Sequence, residues 1–202
     1  MKGIFQKLLE PTSKPAVIIV SGLPRSGTSM MMKMLEAGGI APLTDEIRTA
    51  DKDNPKGYYE FERVKKLNEG DVAWLDQAGG KAVKVISALL KHLPADYAYK
   101  VIFMHRKIEE VLASQRQMLI RRGEPADSIS DEKMTQLFSK HLEQVQAWIA
   151  EQPNVDVIYV SYNEILEDPT GNVEKINQFL GNTLDKEKMV SVIDEDLYRQ
   201  RK

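Results

Sequence analysis

Apolar and polar positions along the chain follow two different periods, which predict strands and helices in turn. Residues 16–21 (AVIIVS) form a continuous apolar run rich in β-branched side chains, the pattern of a strand buried on both faces of a sheet. Similar short runs predict further strands at residues 81–87, 99–105 and 155–161.

Amphipathic stretches between these runs predict helices. The first helix follows a glycine-rich turn and ends at Gly38-Gly39, and another is expected to start at Asp168-Pro169 and to end at Gly181. Further helices are predicted at residues 60–76, 107–121, 130–150 and 184–202. Alternating strands and helices predict an α/β fold, a three-layer sandwich with a mostly parallel central sheet.

The chain shows no internal repeat, low-complexity segment or linker, so we predict a single domain over residues 1–202. Residues 1–15 are expected to form an N-terminal arm, because prolines interrupt the pattern before the first strand. Residues 184–202 are expected to form a C-terminal helical tail. The polar, turn-rich residues 41–58 and 123–130 are predicted to be surface loops.

Composition excludes several classes of protein. The 28 basic and 30 acidic residues give a net charge of −2, which disfavours a protein that coats nucleic acid. The absence of cysteine excludes disulfides, thiolate metal sites and cysteine nucleophiles. The three histidines lack metal-ligand spacing, so we predict no metal site. The apolar run near the amino terminus is too short to span a bilayer, and we expect a cytoplasmic protein.

The turn after the first strand, GLPRSGTS at residues 22–29, has the layout of a phosphate-binding loop, since a helix follows it. Gly22 and Gly27 allow the main chain to curl and to approach an anion closely. Arg25 adds a positively charged guanidinium group with several hydrogen-bond donors. Hydroxyl donors come from Ser26, Thr28 and Ser29. The alternative is a glycine-rich turn without a ligand.

The loop departs from the usual nucleotide-hydrolysing pattern G-x-x-x-x-G-K-[ST] at one position. Gly22 and Gly27 have the required spacing, but Thr28 stands where the lysine is expected. That lysine normally reaches the β- and γ-phosphates. The loop therefore suits an anion better than a triphosphate with magnesium, which argues against a kinase or an ATPase.

The segment from Pro24 to Ser29, PRSGTS, resembles the P-[KR]-S-G-T-[ST] core of the 5′-phosphosulfate loop in sulfotransferases. Arginine in place of lysine resembles the tyrosylprotein and small bacterial branches of that family. The resemblance implies that 3′-phosphoadenosine 5′-phosphosulfate (PAPS) is the donor and that 3′,5′-bisphosphoadenosine is the product. The implied acceptor is a hydroxyl or an amine on a small molecule, a saccharide or a peptide.

A second stretch, YKVIFMHRKIEEVLASQRQ, resembles the family's 3′-phosphate motif, with Arg106 and Ser114 at the matching positions. The seven helical steps from residue 107 to Ser114 turn through roughly 700°, which returns the serine to the face that starts the helix. Arg106 and Ser114 are thus placed to bind one phosphate between them. The alternative is that Arg106 pairs with a carboxylate and Ser114 is an ordinary helical serine.

The resemblance spans most of residues 16–181 and is specific at the two anion motifs. Tyr162 stands where the family often has a tyrosine near the adenine, although a tyrosine packed on the core is an equal alternative. The family's C-terminal glycine-rich loop is absent. The tail DLYRQRK offers Arg199, Arg201 and Lys202 as candidate charges for the 3′-phosphate, or a solvated basic tail.

Sulfuryl transfer needs cations that neutralise the negative charge developing on the oxygen between sulfur and phosphorus. It also needs a base that takes the proton of the acceptor. Arg25 is the first candidate cation, and Lys84 is the second because it matches the lysine of a Lys-Thr-His run in the cytosolic sulfotransferases; the alternative is that Lys84 is a charge at the end of a strand. Ile86 stands where their catalytic histidine would be. Other branches of the family use a glutamate in the segment after the phosphate loop, and NPKGYYEFE resembles a segment of the bacterial members. The resemblance implies Glu60 as the base, with Glu62 as the second choice; the alternative is a surface glutamate that begins a helix.

Three hypotheses follow from the sequence. The first is a PAPS-dependent sulfotransferase. The second is a P-loop nucleotide or small-molecule kinase, which Thr28 disfavours. The third is a catalytically inactive nucleotide-binding protein of the same fold, which is kept because the family's histidine and C-terminal loop are missing.

Overall fold

Four parallel strands in the order β2-β1-β3-β4 form the centre of the computed structural model, which describes residues 15–45, 59–125 and 129–193. The strands are β1 (Val17–Gly22), β2 (Ala82–Lys84), β3 (Tyr99–His105) and β4 (Val155–Ser161). Every strand pair in this sheet is parallel. The carboxyl ends of the strands therefore meet at one edge of the sheet.

Helices connect these strands and cover both faces of the sheet. The α-helices are α1 (Thr28–Ala37), α2 (Ile108–Arg122), α3 (Asp131–Ala150), α4 (Tyr162–Glu167), α5 (Pro169–Leu180) and α6 (Lys186–Ser191). In the described part of the chain, three 3-10 helices span Glu62–Glu69, Ala73–Gln77 and Ser87–His92.

The sheet separates two hydrophobic cores because successive strand side chains point to opposite faces. On one face, Ile19 and Phe103 pack with Ile149 of α3 and with the 3-10 helices. On the other face, Val20 and Ile102 pack with side chains of α1, α5 and α6. These layers confirm the predicted α/β fold, and all the ladders in the sheet are parallel.

Local signals correctly located several helix ends. Ser130 caps α3 by accepting a hydrogen bond from the Lys133 amide at 3.3 Å. Asp168 caps α5, its carboxylate accepting from the Gly171 amide at 2.9 Å. Gly181 ends α5 in the left-handed region, as the sequence predicts.

Two predicted elements were wrong in their extent. The strand predicted at residues 81–87 ends at Lys84, because Ser87 turns into a 3-10 helix and its hydroxyl bonds His141 of α3 at 2.8 Å. The helix predicted at residues 60–76 is two 3-10 helices, because Gly70 takes a left-handed φ of 88° between them. The short helix α4, which opens at Tyr162, was not predicted.

Other sequence predictions lie wholly or partly outside the described residues. In the tail predicted as a helix over residues 184–202, α6 accounts for Lys186–Ser191, and Arg199, Arg201 and Lys202 fall outside the described part. The same holds for residues 1–14 of the arm, and for residues 46–58 and 126–128 of the loops. No helix in the described ranges is both long and apolar enough to cross a membrane.

Candidate nucleotide-binding site

The carboxyl edge of the sheet brings together the predicted site residues from four strands. Arg25 lies in the turn after β1, Lys84 ends β2, Arg106 follows β3, and Tyr162 follows β4. In open α/β sheets this edge is where ligands bind. Three cations therefore lie on one edge of a chain whose net charge is only −2.

Both glycines of the turn after β1 are required by its geometry. Gly22 has a φ of 146°, and a Cβ there would lie 2.5 Å from Ser26 Oγ and 2.7 Å from the Met104 carbonyl oxygen. Gly27 has a φ of 98°, and a Cβ there would lie 2.5 Å from a ring carbon of Tyr162. The turn is thus wrapped tightly before α1 begins at Thr28.

Inside the turn, Ser26 is only 1% exposed, and its amide donates to the Leu23 carbonyl at 3.1 Å. Its hydroxyl has no hydrogen-bond partner among the described residues. A buried hydroxyl without a partner is costly unless a ligand satisfies it. This hydroxyl, together with the helix N-terminus, fits an anion held in the loop.

The two anion motifs found in the sequence are in direct contact. Arg25 Nε donates to Ser114 Oγ at 2.9 Å, although these residues are 89 positions apart. Ser114 is 6% exposed and lies on α2. Arg25 itself has a φ of 74°, a left-handed conformation that is uncommon for a residue with a side chain.

Arg106 is held on three sides. Its Nε donates to Glu110 at 2.8 Å, and its Nη1 donates to the Arg25 carbonyl at 3.2 Å. Its guanidinium lies over the Tyr162 ring, 4.5 Å from the ring centroid. Arg106 thus does pair with a carboxylate, the alternative considered from sequence, while it also contacts the phosphate loop.

Tyr162 packs into the site as a support. The residue is 5% exposed, with one ring carbon against Gly27 and the ring face under Arg106. This arrangement is the packed tyrosine that the sequence allowed as an alternative. Tyr162 therefore contacts the cation of the second site and the glycine of the first.

Lys84 and the first turn of α1 adjoin the loop from the β2 side. The ammonium group of Lys84 lies 3.4 Å from Ser29 Oγ. Pro24 and Thr28 complete the turn that runs from β1 into α1. The cation at the end of β2 is therefore placed beside the helix N-terminus.

The two candidate bases lie just before and at the start of the 3-10 helix Glu62–Glu69. The carbonyl of Glu60 accepts from Thr44 Oγ1 at 2.8 Å, and its carboxylate lies 3.5 Å from Lys65 Nζ. Glu62 contacts the same Lys65 at 2.6 Å and is more exposed, at 41% against 21% for Glu60. Glu60 is the more sheltered of the two carboxylates.

Two of the three histidines contact side chains that are not among the predicted site residues. His105 lies against Phe103 and Tyr159, with ring centroids 5.2 and 5.4 Å apart, and so points away from Arg106 as strand alternation predicts. His141 bonds Ser87, and burial lowers its pKa, with a further contribution from Lys91. Burial also lowers the pKa of His105.

Two residues of the site were missed from sequence. Glu110 is fully buried and accepts from Arg106 and, at 3.0 Å, from Asn163 Nδ2 of α4. The four-residue spacing from Arg106 to Glu110 is a signal that sequence reasoning could have used. Asn163 carries no comparable signal, because only the strand order brings α4 beside α2.

No group of three His, Cys, Asp or Glu side chains that could hold a metal ion occurs within residues 15–45, 59–125 and 129–193. The candidate site brings together the turn after β1, three cationic side chains and their hydroxyl neighbours. A strand, phosphate loop and helix at the carboxyl edge of a parallel sheet define a P-loop-type α/β protein.

The family is given by comparison with known proteins. The sulfotransferase domain family matches residues 15–201, so this chain belongs to that family. Mouse (Mus musculus) sulfotransferase 2B1 is 26% identical over 110 residues, which are 51% of this chain and 32% of that protein. The chain thus spans about a third of the length of that curated relative.

Solved sulfotransferases share the fold. STF1 from Mycobacterium tuberculosis H37Rv superposes with a TM-score of 0.58 and 15% identity, covering 89% of this chain and 71% of that one. Mouse SULT7A1, solved in complex with PAP, gives a TM-score of 0.55 and 18% identity, covering 88% of this chain and 61% of that one. These likenesses confirm the predicted P-loop-type α/β fold.

Proposed function

We propose that this protein transfers a sulfuryl group from PAPS to a hydroxyl or an amine. The observation that carries the proposal is the Arg25–Ser114 hydrogen bond of 2.9 Å, because it joins the two sequence motifs that are predicted to bind anions. Two adjoining anion sites suit a nucleotide that is phosphorylated at both the 5′ and the 3′ positions. Membership of the sulfotransferase domain family supports the same donor.

The donor's 5′-phosphosulfate would lie in the phosphate loop. Backbone amides of the turn and the hydroxyl of Ser26 would bind it, with the other hydroxyl donors at Thr28 and Ser29. Arg106 and Ser114 would bind the 3′-phosphate, and Tyr162 would support the Arg106 guanidinium. Binding of PAP by the structural neighbour SULT7A1 is consistent with this donor.

In the transfer, an oxygen or nitrogen of the acceptor forms a bond to sulfur while the bond from sulfur to the bridging phosphate oxygen breaks. Arg25 and Lys84 would neutralise the negative charge that develops on that bridging oxygen. The Glu60 carboxylate would take the acceptor proton, with Glu62 as the second choice. The leaving group is 3′,5′-bisphosphoadenosine.

The proposal includes a cytoplasmic location and an acceptor that is a small molecule, a saccharide or a peptide. It assigns no metal ion to the reaction, since cationic side chains can stabilise the leaving group. It also assigns no nucleic-acid partner.

A thermal-shift titration tests the donor assignment. We expect 3′,5′-bisphosphoadenosine to raise the melting temperature more than AMP or ATP does, because at equal concentration the ligand with the lower dissociation constant stabilises the folded protein more. A larger shift with ATP that disappears when magnesium is removed would favour the kinase and overturn the proposal.

One observation favours a second candidate function, a nucleotide-binding protein of the same fold that has lost turnover. Ile86 is 44% exposed and stands where the cytosolic sulfotransferases have their catalytic histidine. This alternative expects the same bisphosphate binding but no transfer. Incubation with PAPS and a panel of phenols, alcohols and amines separates the two, because only an enzyme releases bisphosphate in an acceptor-dependent manner.

A further inference from the structure

The most deeply buried charged side chain at the carboxyl edge is that of Glu110, in the first turn of α2. Its exposed fraction is 0%, which is unfavourable for a carboxylate unless donors satisfy both oxygens. Arg106 Nε donates to Oε2 at 2.8 Å, and Asn163 Nδ2 donates to Oε1 at 3.0 Å. Each carboxylate oxygen thus has its own partner, so the carboxylate cannot rotate without losing a bond.

The fixed carboxylate in turn fixes the plane of the Arg106 guanidinium. A guanidinium is planar, so acceptors at two of its nitrogens determine where the whole group lies. Glu110 accepts from Nε, and the Arg25 carbonyl accepts from Nη1 at 3.2 Å. The Tyr162 ring, 4.5 Å from the guanidinium carbon, closes one face of the plane.

The same contacts extend to the phosphate loop. Arg25, whose carbonyl accepts from Arg106, has the uncommon left-handed φ of 74°. Tyr162, which supports Arg106, also packs on Gly27 of the loop. The buried Glu110 carboxylate is therefore connected through Arg106 to both candidate anion sites. It also links α2 to α4 through its hydrogen bond from Asn163.

We propose that Glu110 is a positioning residue that sets the preference of this protein for a nucleotide with a 3′-phosphate. It does not contact the nucleotide, and acts by holding Arg106 in the orientation that the 3′-phosphate requires. The inference rests on the proposed donor, since it needs Arg106 to bind that phosphate.

The test compares two ligands that differ only in the 3′-phosphate, 3′,5′-bisphosphoadenosine and AMP, by calorimetric titration of the full chain. The readout is the ratio of their dissociation constants. In Glu110→Gln one carboxylate oxygen is replaced by an NH2 group, which donates instead of accepting, so only one of the two ends that now accept from Arg106 and Asn163 is kept. We expect the preference for the bisphosphate to fall about tenfold, the effect of misplacing one charged hydrogen bond.

Glu109→Gln is the matched control, because it removes the same charge from the same helical turn at an exposed position. We expect it to leave the ratio unchanged. If Glu110 were purely structural, Glu110→Gln would weaken the binding of both ligands equally and leave the ratio of their dissociation constants unchanged. That result would overturn the inference. If Glu110→Gln does not fold, Asn163→Ala replaces it as the test, because this variant removes the hydrogen bond from Asn163 to Glu110 and keeps the Arg106–Glu110 ion pair. An unchanged ratio of the two dissociation constants in Asn163→Ala would also overturn the inference.

The experiment separates this inference from the proposed function. If the unmodified protein binds the bisphosphate no more tightly than AMP, the donor assignment is wrong. If the unmodified protein prefers the bisphosphate and Glu110→Gln retains the full preference, the donor assignment stands and the role of Glu110 is rejected.

Discussion

Arg25 and Ser114 form a direct hydrogen bond, Nε to Oγ at 2.9 Å, between the turn after β1 and helix α2. The phosphate loop and the second anion motif therefore share a hydrogen-bonded boundary. An anion bound to one motif would lie close to the side chains that are assigned to the other. A substitution of either Arg25 or Ser114 should therefore change ligand affinity at both motifs.

Ser114→Ala tests this boundary. We expect the affinity for 3′,5′-bisphosphoadenosine to fall roughly tenfold, because the variant removes a hydroxyl from the 3′-phosphate and a partner from Arg25. The affinity for AMP should fall less, since AMP lacks the 3′-phosphate. Calorimetry with both ligands measures the two effects, and Ser139→Ala on α3 serves as the helical control. Equal losses for the two ligands would contradict the assignment of Ser114 to the 3′-phosphate.

Gly27→Ala should abolish nucleotide binding and lower the melting temperature. Its φ of 98° is strained for alanine, at a cost of about 1 kcal/mol, and the new Cβ would lie 2.5 Å from a ring carbon of Tyr162. The clash would displace Tyr162 from beneath Arg106 and would deform the loop. Bisphosphate binding and thermal melting measure the two consequences.

Gly39→Ala is the control for that variant, because Gly39 has a similar φ of 104° and nothing lies within 4 Å of an added Cβ. It carries the backbone strain without the clash, at the far end of α1. We expect a small loss of stability and unchanged binding. If the two variants lose equal stability and both bind nucleotide, the close contact between Gly27 and Tyr162 is not required.

The sequence predicts those parts of the fold that depend on local signals. The phosphate loop, the cap at Asp168 and the stop at Gly181 each depend on a few adjacent residues, and the structure has them where expected. The end of β2 could not be found this way. The apolar run continues past Lys84, but Ser87 bonds to His141, 54 residues away, and the chain leaves the sheet.

In the candidate site, too, the residues of local motifs could be predicted from sequence, whereas residues brought together by the order of the strands could not. Arg25, Arg106 and Ser114 belong to motifs that can be read along the chain, and they adjoin in the structure. Glu110 and Asn163 meet only because β4 lies next to β3, which places α4 beside α2. Periodicity carries no information about such a meeting, since it depends on the order of strands in the sheet.

Glu60→Gln tests the assigned base. We expect the rate of sulfuryl transfer to fall about 100-fold, because the amide cannot accept the acceptor proton. The affinity for bisphosphate should be unchanged, since Glu60 is assigned to the acceptor side. Acceptor-dependent release of bisphosphate from PAPS measures the rate.

Glu62→Gln is the matched control for the base. It makes the same change two residues away, at a carboxylate that contacts the same Lys65. We expect nearly full activity. Undiminished transfer in Glu60→Gln would remove Glu60 from the mechanism, and a loss confined to Glu62→Gln would transfer the role to Glu62.

The folded protein should lose stability as the pH falls from 7.5 to 5.5. Burial lowers the pKa of His105 and His141 below the ordinary value of 6.5. As the pH falls through 6.5, the unfolded chain takes up protons before the folded protein does, so the free energy of unfolding decreases. The contribution is fully present above that pH and is lost progressively down to the lowered folded pKa values.

His105→Phe checks this pH dependence, because phenylalanine keeps a ring against Phe103 and Tyr159 but does not titrate. Thermal melting at pH 7.5 and 5.5 gives the drop for each protein. We expect a smaller drop in the variant than in the unmodified protein, with the remainder due in part to His141, whose ring bonds Ser87. An equal drop in the two proteins would show that His105 is not held neutral by burial, and no drop in either protein would contradict the predicted pH dependence.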